Sequence, residues 1–166
     1  MRALGIDCGT EFTGYGAVEQ NANQKLIHLV SGVIRLDKKQ PLPVRLKKVL
    51  QDITEVIENT TPDVVVIEEV FYSVNAKSAL KLGQVRGVAM LAAACRGLEV
   101  AEYSPLSIKS SVVGYGRAEK SQVQFMVAKL LALESIPEPA DAADALAIAI
   151  CHLHTSATLA LQSAKF

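Results

Sequence analysis

Four carboxylates stand where chemistry could be done. Asp7 closes the apolar run "RALGID", and Glu68 closes a second one, "VVVIE". Asp141 and Asp144 lie three apart in "DAADAL", a spacing that puts both on one face of a helix, about one turn apart. A cluster of carboxylates without His or Cys selects a hard cation, Mg²⁺ with Mn²⁺ as a substitute, over zinc. Four acids exceed the one or two that usually hold a single Mg²⁺. They suit a pair of ions about 3.5–4 Å apart, one polarising an attacking water and the other stabilising a leaving 3′ oxygen. Each acid also has a plainer role open to it. Asp7 could cap the loop that follows, Asp141 could answer the positive end of a helix dipole, and Glu68 could be an exposed strand end. Asp144 is hardest to place in this way, because a lone carboxylate inside an Ala/Leu/Ile helix is costly to bury.

The elements around these acids must bring them together. Residues 2–8, 12–19 and 24–36 read as three strands, the last two separated by the polar turn "EQNANQK". "PLPVRLKKVLQDITEVIENT" places Leu46, Val49, Leu50, Ile53, Val56 and Ile57 at helical spacing. "DVVVIEE" is a short β-branched run of the kind found in buried central strands. A helical region over 75–96 follows, with Gly83 or Gly87 as candidate breaks, and "LEVAEY" gives a fifth strand. "SPLSIKSSVVGYGR" reads as a loop or short helix, "AEKSQVQFMVAKLLAL" as a helix, and "DAADALAIAICHLH" as an alanine-rich last helix. The order β-β-β-α-β-α-β-α-α predicts an α/β fold. It has a mixed five-stranded sheet, three antiparallel strands then two parallel ones added by right-handed crossovers, with helices on both faces. Strands one and four become neighbours, so Asp7 and Glu68 converge at one edge and the last helix adds its aspartates. One domain covers 1–155, and 156–166 reads as a short tail prone to fray.

The chain has 166 residues, half of them apolar and a fifth charged, enough for one real core. Its apolar stretches are too short or interrupted to span a bilayer, and its start lacks the pattern of a signal peptide. Cys8, Cys95 and Cys151 are odd in number and scattered, which reads as reduced thiols in a cytoplasmic protein. Net charge is zero, an argument against nucleic acid when taken whole. Between Val74 and Lys129, however, eight Lys or Arg face three Glu, so that this stretch is +5 and the rest −5. It reads as solvated helix faces or as a basic surface beside an acidic site. His28, His152 and His154 do not join the acids and read as surface or dimer-contact residues.

Taken together and in order, "GIDCGTEFTGYG", "IEEVFYSVNAKSALKLGQVRGVA", "VVGYGRAEKSQVQFMV" and "DAADALAIAICH" resemble the RuvC Holliday-junction resolvase family over nearly the whole chain. The resemblance implies a ribonuclease-H-like fold and a homodimer that binds four-way DNA junctions. It implies two symmetric nicks made with Mg²⁺, leaving 5′ phosphates, beside a junction-binding and branch-migration motor complex in recombination and repair. It makes Asp7, Glu68, Asp141 and Asp144 the catalytic, metal-holding acids. Lys120 and Lys109 match basic residues near the cut phosphate, with Lys120 acting electrostatically where negative charge builds. Phe71 matches an aromatic that stacks on bases, with Tyr72 beside it, and Lys77, Lys81, Arg86 and Arg117 would grip phosphates. The family often has proline after the first aspartate, where this chain has Cys8, which opens oxidation or metal capture there.

The opening loop also resembles the first phosphate loop of the sugar-kinase, actin and heat-shock ATPase group. That group needs two lobes, and this chain holds neither a second Asp-Gly-Thr loop nor an adenosine-binding Gly-Gly segment. Gly9, Gly14 and Gly16 therefore read as a tight hairpin that brings backbone close to DNA or metal. Two further alternatives are a resolvase-like nuclease of ribosomal RNA processing and a non-catalytic junction-binding scaffold. The stretch "VFYSVNAKSALKLGQ" and the presence of all four acids favour the junction resolvase.

Overall fold

The computed structural model describes residues 1–69 and 76–163, with side chains described as far as residue 158. Its elements run β1 (Arg2–Asp7), β2 (Phe12–Gln20), β3 (Leu26–Arg35), α1 (Leu42–Thr60), β4 (Val64–Glu68), α2 (Ala76–Ala94), β5 (Glu99–Tyr103), α3 (Pro105–Val113), α4 (Lys120–Leu130) and α5 (Ala140–Ser163). The sheet order is β3-β2-β1-β4-β5. β1, β2 and β3 pair antiparallel, and β4 and β5 join in parallel, as the element order predicts.

Strand alternation builds a separate core on each face of the sheet. Leu4, Ile6, Val65 and Ile67 pack with Val49, Ile53 and Ile57 of α1 and Val85, Ala89 and Ala93 of α2. Ala3, Val18, Val64 and Val66 pack on the other face, against α3, α4 and α5. Each large aliphatic side chain so buried contributes about 1.5–3 kcal/mol. The same alternation decides where the acids go. Asp7 follows Ala3 and Gly5 by steps of two, and Glu68 follows Val64 and Val66, so both carboxylates fall on the α5 face. Ala3 pairs with Val64 and Gly5 with Val66; one more step of that register sets Asp7 beside Glu68.

Helix α5 lies unusually close to this face because its floor is made of glycine. Gly5 pairs with Gly16, and Asp7 with Gly14. A Cβ on Gly5 would sit 2.0 Å from the Ala145 carbonyl oxygen, and one on Gly14 would sit 2.0 Å from that of Asp141. Gly14 and Gly16 thus do not bring backbone to DNA or metal, as the hairpin reading expects. They admit a helix. Only Gly9 serves the turn itself, where a Cβ would meet the Phe12 carbonyl oxygen at 2.0 Å.

Two boundaries differ from the sequence reading, and one open alternative is decided for a short helix. α2 runs unbroken through Gly83 and Gly87. Residues 105–113 form a helix, with the Ser104 hydroxyl accepting the Ser107 N–H at 3.1 Å and Gly114 ending it at φ 92°. α5 continues to Ser163, past residue 156, where the tail was expected to begin. No described helix is long and apolar enough to cross a membrane.

Candidate active site

Asp141 and Asp144 lie in the first turns of α5, directly above the Asp7–Gly14 pair. One oxygen from each of Asp7, Asp141 and Asp144 lies within 4.8 Å of the others, the one such grouping of potential metal ligands among the described residues. Glu68 stands outside that triple. It lines the same cleft of about 200 Å³ with Asp7, Asp144, Lys109 and Lys120, whose apolar walls are Pro105, Ile108, Val123, Ala147 and Ile148. The sequence reading names all six charged groups and misses the walls, which were legible only as ordinary helix core.

The electrostatics are those of acids forced together. The Asp7 carboxyl is pushed up to about 7 by burial and by the charges of Asp144, Glu68 and Asp141, with Lys120 pulling the other way. Burial and Asp144 also raise Glu68, against the opposing pull of Lys109 and Lys120. Lys120 Nζ lies 2.6 Å from Asp144 Oδ2. That hydrogen bond, with the negative field of Asp144, Asp141 and Asp7, holds the ammonium above its ordinary range. Carboxylate oxygens this close, with Asp7 and Glu68 held above their ordinary range, fit a hard divalent cation.

Around the acids the opening loop is closed upon itself. Gly9 N–H donates to Thr13 Oγ1 at 3.4 Å, and that hydroxyl donates to the Gly9 carbonyl at 3.1 Å. Arg45 Nη1 donates to the Thr10 carbonyl at 3.1 Å, and Leu36 N–H donates to the Glu11 carbonyl at 2.8 Å. The Gly9 N–H and the Gly9, Thr10 and Glu11 carbonyls are thus engaged by the protein itself. Cys8 falls on the face away from the acids and packs into the α1–α2 core. Its thiol is pushed up to about 12 by burial and by the nearby Asp7 charge, which disfavours the thiolate that oxidation or metal capture needs.

The other predicted contacts separate. Lys77 and Lys81 are exposed on the first turns of α2 and Arg117 is exposed between α3 and α4; none of the three lines the cleft. Phe71 and Tyr72 lie outside the described residues. Arg86 does not stand free to grip phosphate. It is half-buried, pairs through Nη2 with Glu102 of β5, and its Nε donates to the Glu68 carbonyl at 3.4 Å. It braces the end of β4 where Glu68 leaves the sheet. The histidines are partly exposed, as the surface reading expects, and each has a hydrogen-bond partner. His152 Nδ1 meets the Tyr103 hydroxyl at 3.1 Å, His154 Nδ1 meets the Ser111 carbonyl at 3.1 Å, and His28 Nε2 meets Ser31 Oγ at 3.0 Å.

Comparison with known proteins finds relatives over nearly the whole chain. The family model described as crossover junction endodeoxyribonuclease RuvC matches residues 3–152. A RuvC of Koribacter versatilis is 61% identical over 165 residues, covering 99% of each chain. The Thermus thermophilus RuvC structure superimposes with a TM-score of 0.87 at 32% identity, over 95% of this chain and 96% of that one. The T. thermophilus RuvC in complex with Holliday junction substrate gives 0.88 at 29% identity, with the same coverage. With its acids, cleft and sheet order in place, this chain belongs to the RuvC family of crossover junction endodeoxyribonucleases.

Proposed function

We propose that this protein resolves four-way (Holliday) DNA junctions by two symmetric nicks, in homologous recombination and DNA repair. The observation that carries the reading is the convergence of Asp7, Asp141 and Asp144, with Glu68 on the same cleft and two lysines on its wall. Asp7, Glu68, Asp141 and Asp144 would hold the cation, Mg²⁺ with Mn²⁺ as a substitute and two ions per site, which when bound supplies Lewis-acid activation of water and stabilisation of the leaving 3′ oxygen. The protein's own groups do the rest. Glu68 and the aspartates orient what enters the cleft. Lys120, tethered to Asp144, holds an ammonium where charge grows on the phosphate under attack. Lys109 faces Glu68 from α3 and adds a second positive group. The apolar wall of Ile108, Val123 and Ile148 restricts water to one side. Cleavage then leaves a 5′ phosphate and a 3′ hydroxyl.

The chain acts as a homodimer. Along α2, Leu80 is 71% and Leu91 53% exposed, eleven residues apart and so on one stripe of the helix. Gly87 between them has nothing within 4 Å of an added Cβ. An unfilled apolar stripe of this kind suits a second copy of the same helix across a two-fold axis. Two clefts on one dimer match the paired nicks that a symmetric junction needs. Lys77, Lys81 and Arg117 supply salt-sensitive phosphate contacts, Phe71 and Tyr72 stack on opened bases, and the dimer works beside a junction-binding and branch-migration motor complex.

A synthetic mobile four-way junction, a linear duplex and the Asp7→Asn protein test the reading. Paired nicks on the junction alone, abolished in Asp7→Asn while binding persists, are expected. Tight binding by wild type without cleavage in Mg²⁺ or Mn²⁺ would leave a scaffold instead.

A further inference from the structure

The wall of the cleft made by α3 and α4 carries exposed apolar groups that the cutting chemistry does not use. Leu106 is 63% exposed and Tyr115 46%. Leu106 neighbours Pro105, which lines the cleft. Tyr115 sits in the loop between α3 and α4, and that loop does not swing away from the site. A Cβ on Gly116 would meet Leu106 Cγ at 2.6 Å and Ser110 Oγ at 3.2 Å, so the chain folds back along the outer side of α3. This return brings Tyr115 to the first turn of α4, where its hydroxyl donates to Gln122 Oε1 at 2.8 Å. The same oxygen accepts the Glu119 N–H at 2.8 Å.

The ring is therefore anchored at its polar end to an amide that is itself fixed to backbone, and still half exposed. An exposed ring held in this way loses little freedom when something packs on it. Its setting is positive. From Ser104 to Leu133 the cations are Lys109, Arg117, Lys120 and Lys129, and the one acid is Glu119. Lys109 and Lys120 belong to the cleft, and Arg117, two residues after Tyr115, is exposed with no ion pair among the described residues. A fixed aromatic beside cations, continuous with a cleft that cuts phosphodiesters, matches a strand that alternates base and phosphate. A neutral protein surface would match the apolar groups but not the cations.

We propose that Tyr115, with Leu106 beside it and Arg117 on the adjoining phosphate, is a stacking platform for a base flanking the cut phosphate. This rests on the nuclease reading above and adds a contact to it. The test places 2-aminopurine at successive positions around the cut site of a four-way junction, with an Asp7→Asn background to keep the junction intact. With Tyr115 present, one flanking position should be quenched on binding. Tyr115→Ala should lose that quenching and weaken junction affinity about tenfold, and Tyr115→Phe, which keeps the ring and drops the tether, should retain the quenching. Thermal melting of each variant confirms folding. An unchanged quenching profile and an affinity within about twofold in Tyr115→Ala, where the wild-type protein with Asp7 intact binds and cuts junctions, would overturn the platform alone. Absence of junction binding in the Tyr115 protein would overturn the platform and the nuclease reading together.

Discussion

Gly14→Ala changes no charge and removes no hydrogen-bonding group, yet it should disable the acidic cleft. Gly14 stands opposite Asp7 in the β1–β2 ladder. Its missing Cβ would lie 2.0 Å from the Asp141 carbonyl oxygen, 2.6 Å from the carbonyl carbon and 3.2 Å from Asp141 Cβ. A real Cβ essentially never comes within 3.0 Å of another heavy atom, so strand or helix has to yield by about 1 Å, at an overpacking cost of about 1–3 kcal/mol. The strand is locked between β1 and β3. The helix is the movable partner, and the end that moves carries Asp141 and Asp144. A displacement of about 1 Å in a positioned catalytic group can cost about 100-fold in rate. The assay is single-turnover cleavage of a four-way junction with protein in excess, together with urea unfolding. The expected result is a modest loss of stability, near-normal junction binding and a fall in rate of about 100-fold. If Gly14→Ala cuts within about threefold of wild type, close packing of α5 on glycine does not set the site, and the account given for the fold is wrong at its centre.

Three other outcomes follow from the same geometry. Asp7 titrates at about 7 when folded, against 3.8 unperturbed. Folding therefore takes up a proton between those values, and the metal-free protein should lose stability as pH rises through that window, by at most on the order of 4 kcal/mol. Urea midpoints measured in chelator across the window check this, and a flat or rising curve would remove the self-repulsion. Arg86→Ala should slow cleavage about tenfold by loosening the end of β4 while leaving the salt dependence of junction binding unchanged. A fall of about one in the log–log salt slope would return Arg86 to the phosphate contacts. Leu91→Asp should give a monomer in sedimentation, and a dimer that survives it would put the interface elsewhere than α2.

The positions of the acids were legible because strand and helix periods are rigid. "GID" and "VVVIE" each end on the residue whose parity faces α5, and the three-residue spacing of Asp141 and Asp144 needs no tertiary information. The role of the glycines was not legible. An absent side chain leaves room, and nothing local says whether DNA or a helix fills it; that depended on α5, more than a hundred residues away. The pairing of Arg86 was not legible for a related reason. Charge counting sees a cation, whereas its partner Glu102 lies on β5, across a turn of the fold. His152 and His154 find Tyr103 and Ser111, 49 and 43 residues distant. The end of α5 was missed because "TSATLALQS" has no amphipathic period, although its alanines and leucines favour helix on propensity alone. Tyr115 did leave a signal, an aromatic between two glycines inside the basic stretch.

The acids cannot be held together by attraction, so packing must hold them. From Ala142 to Leu153, α5 buries Ala142, Ala143, Ala145, Leu146, Ala147, Ile148, Ala149, Ile150, Cys151 and Leu153. The small residues let it settle on the glycine floor and the large ones anchor it. The helix thereby presses two carboxylates against Asp7, and the helix dipole, Lys120 and, at Glu68, Lys109 soften the repulsion from within the protein. A cleft in this state repels a phosphate as well. On the proposed reading the basic residues outside it would attract the junction, while the acids inside would oppose the last approach of the strand until a cation is bound. Neutralising one acid should therefore help binding when metal is absent. At about 6 Å a single charge contributes about 1 kcal/mol against a phosphate, roughly fivefold in affinity. At a pH well above 7, where Asp7 is ionised, Asp7→Asn should thus bind a four-way junction about fivefold more tightly than wild type in chelator, and this advantage should vanish when Mg²⁺ or Ca²⁺ is added. Weaker binding by Asp7→Asn in chelator would mean that Asp7 supports the junction directly, and that the cleft is not closed to phosphate by its own charge.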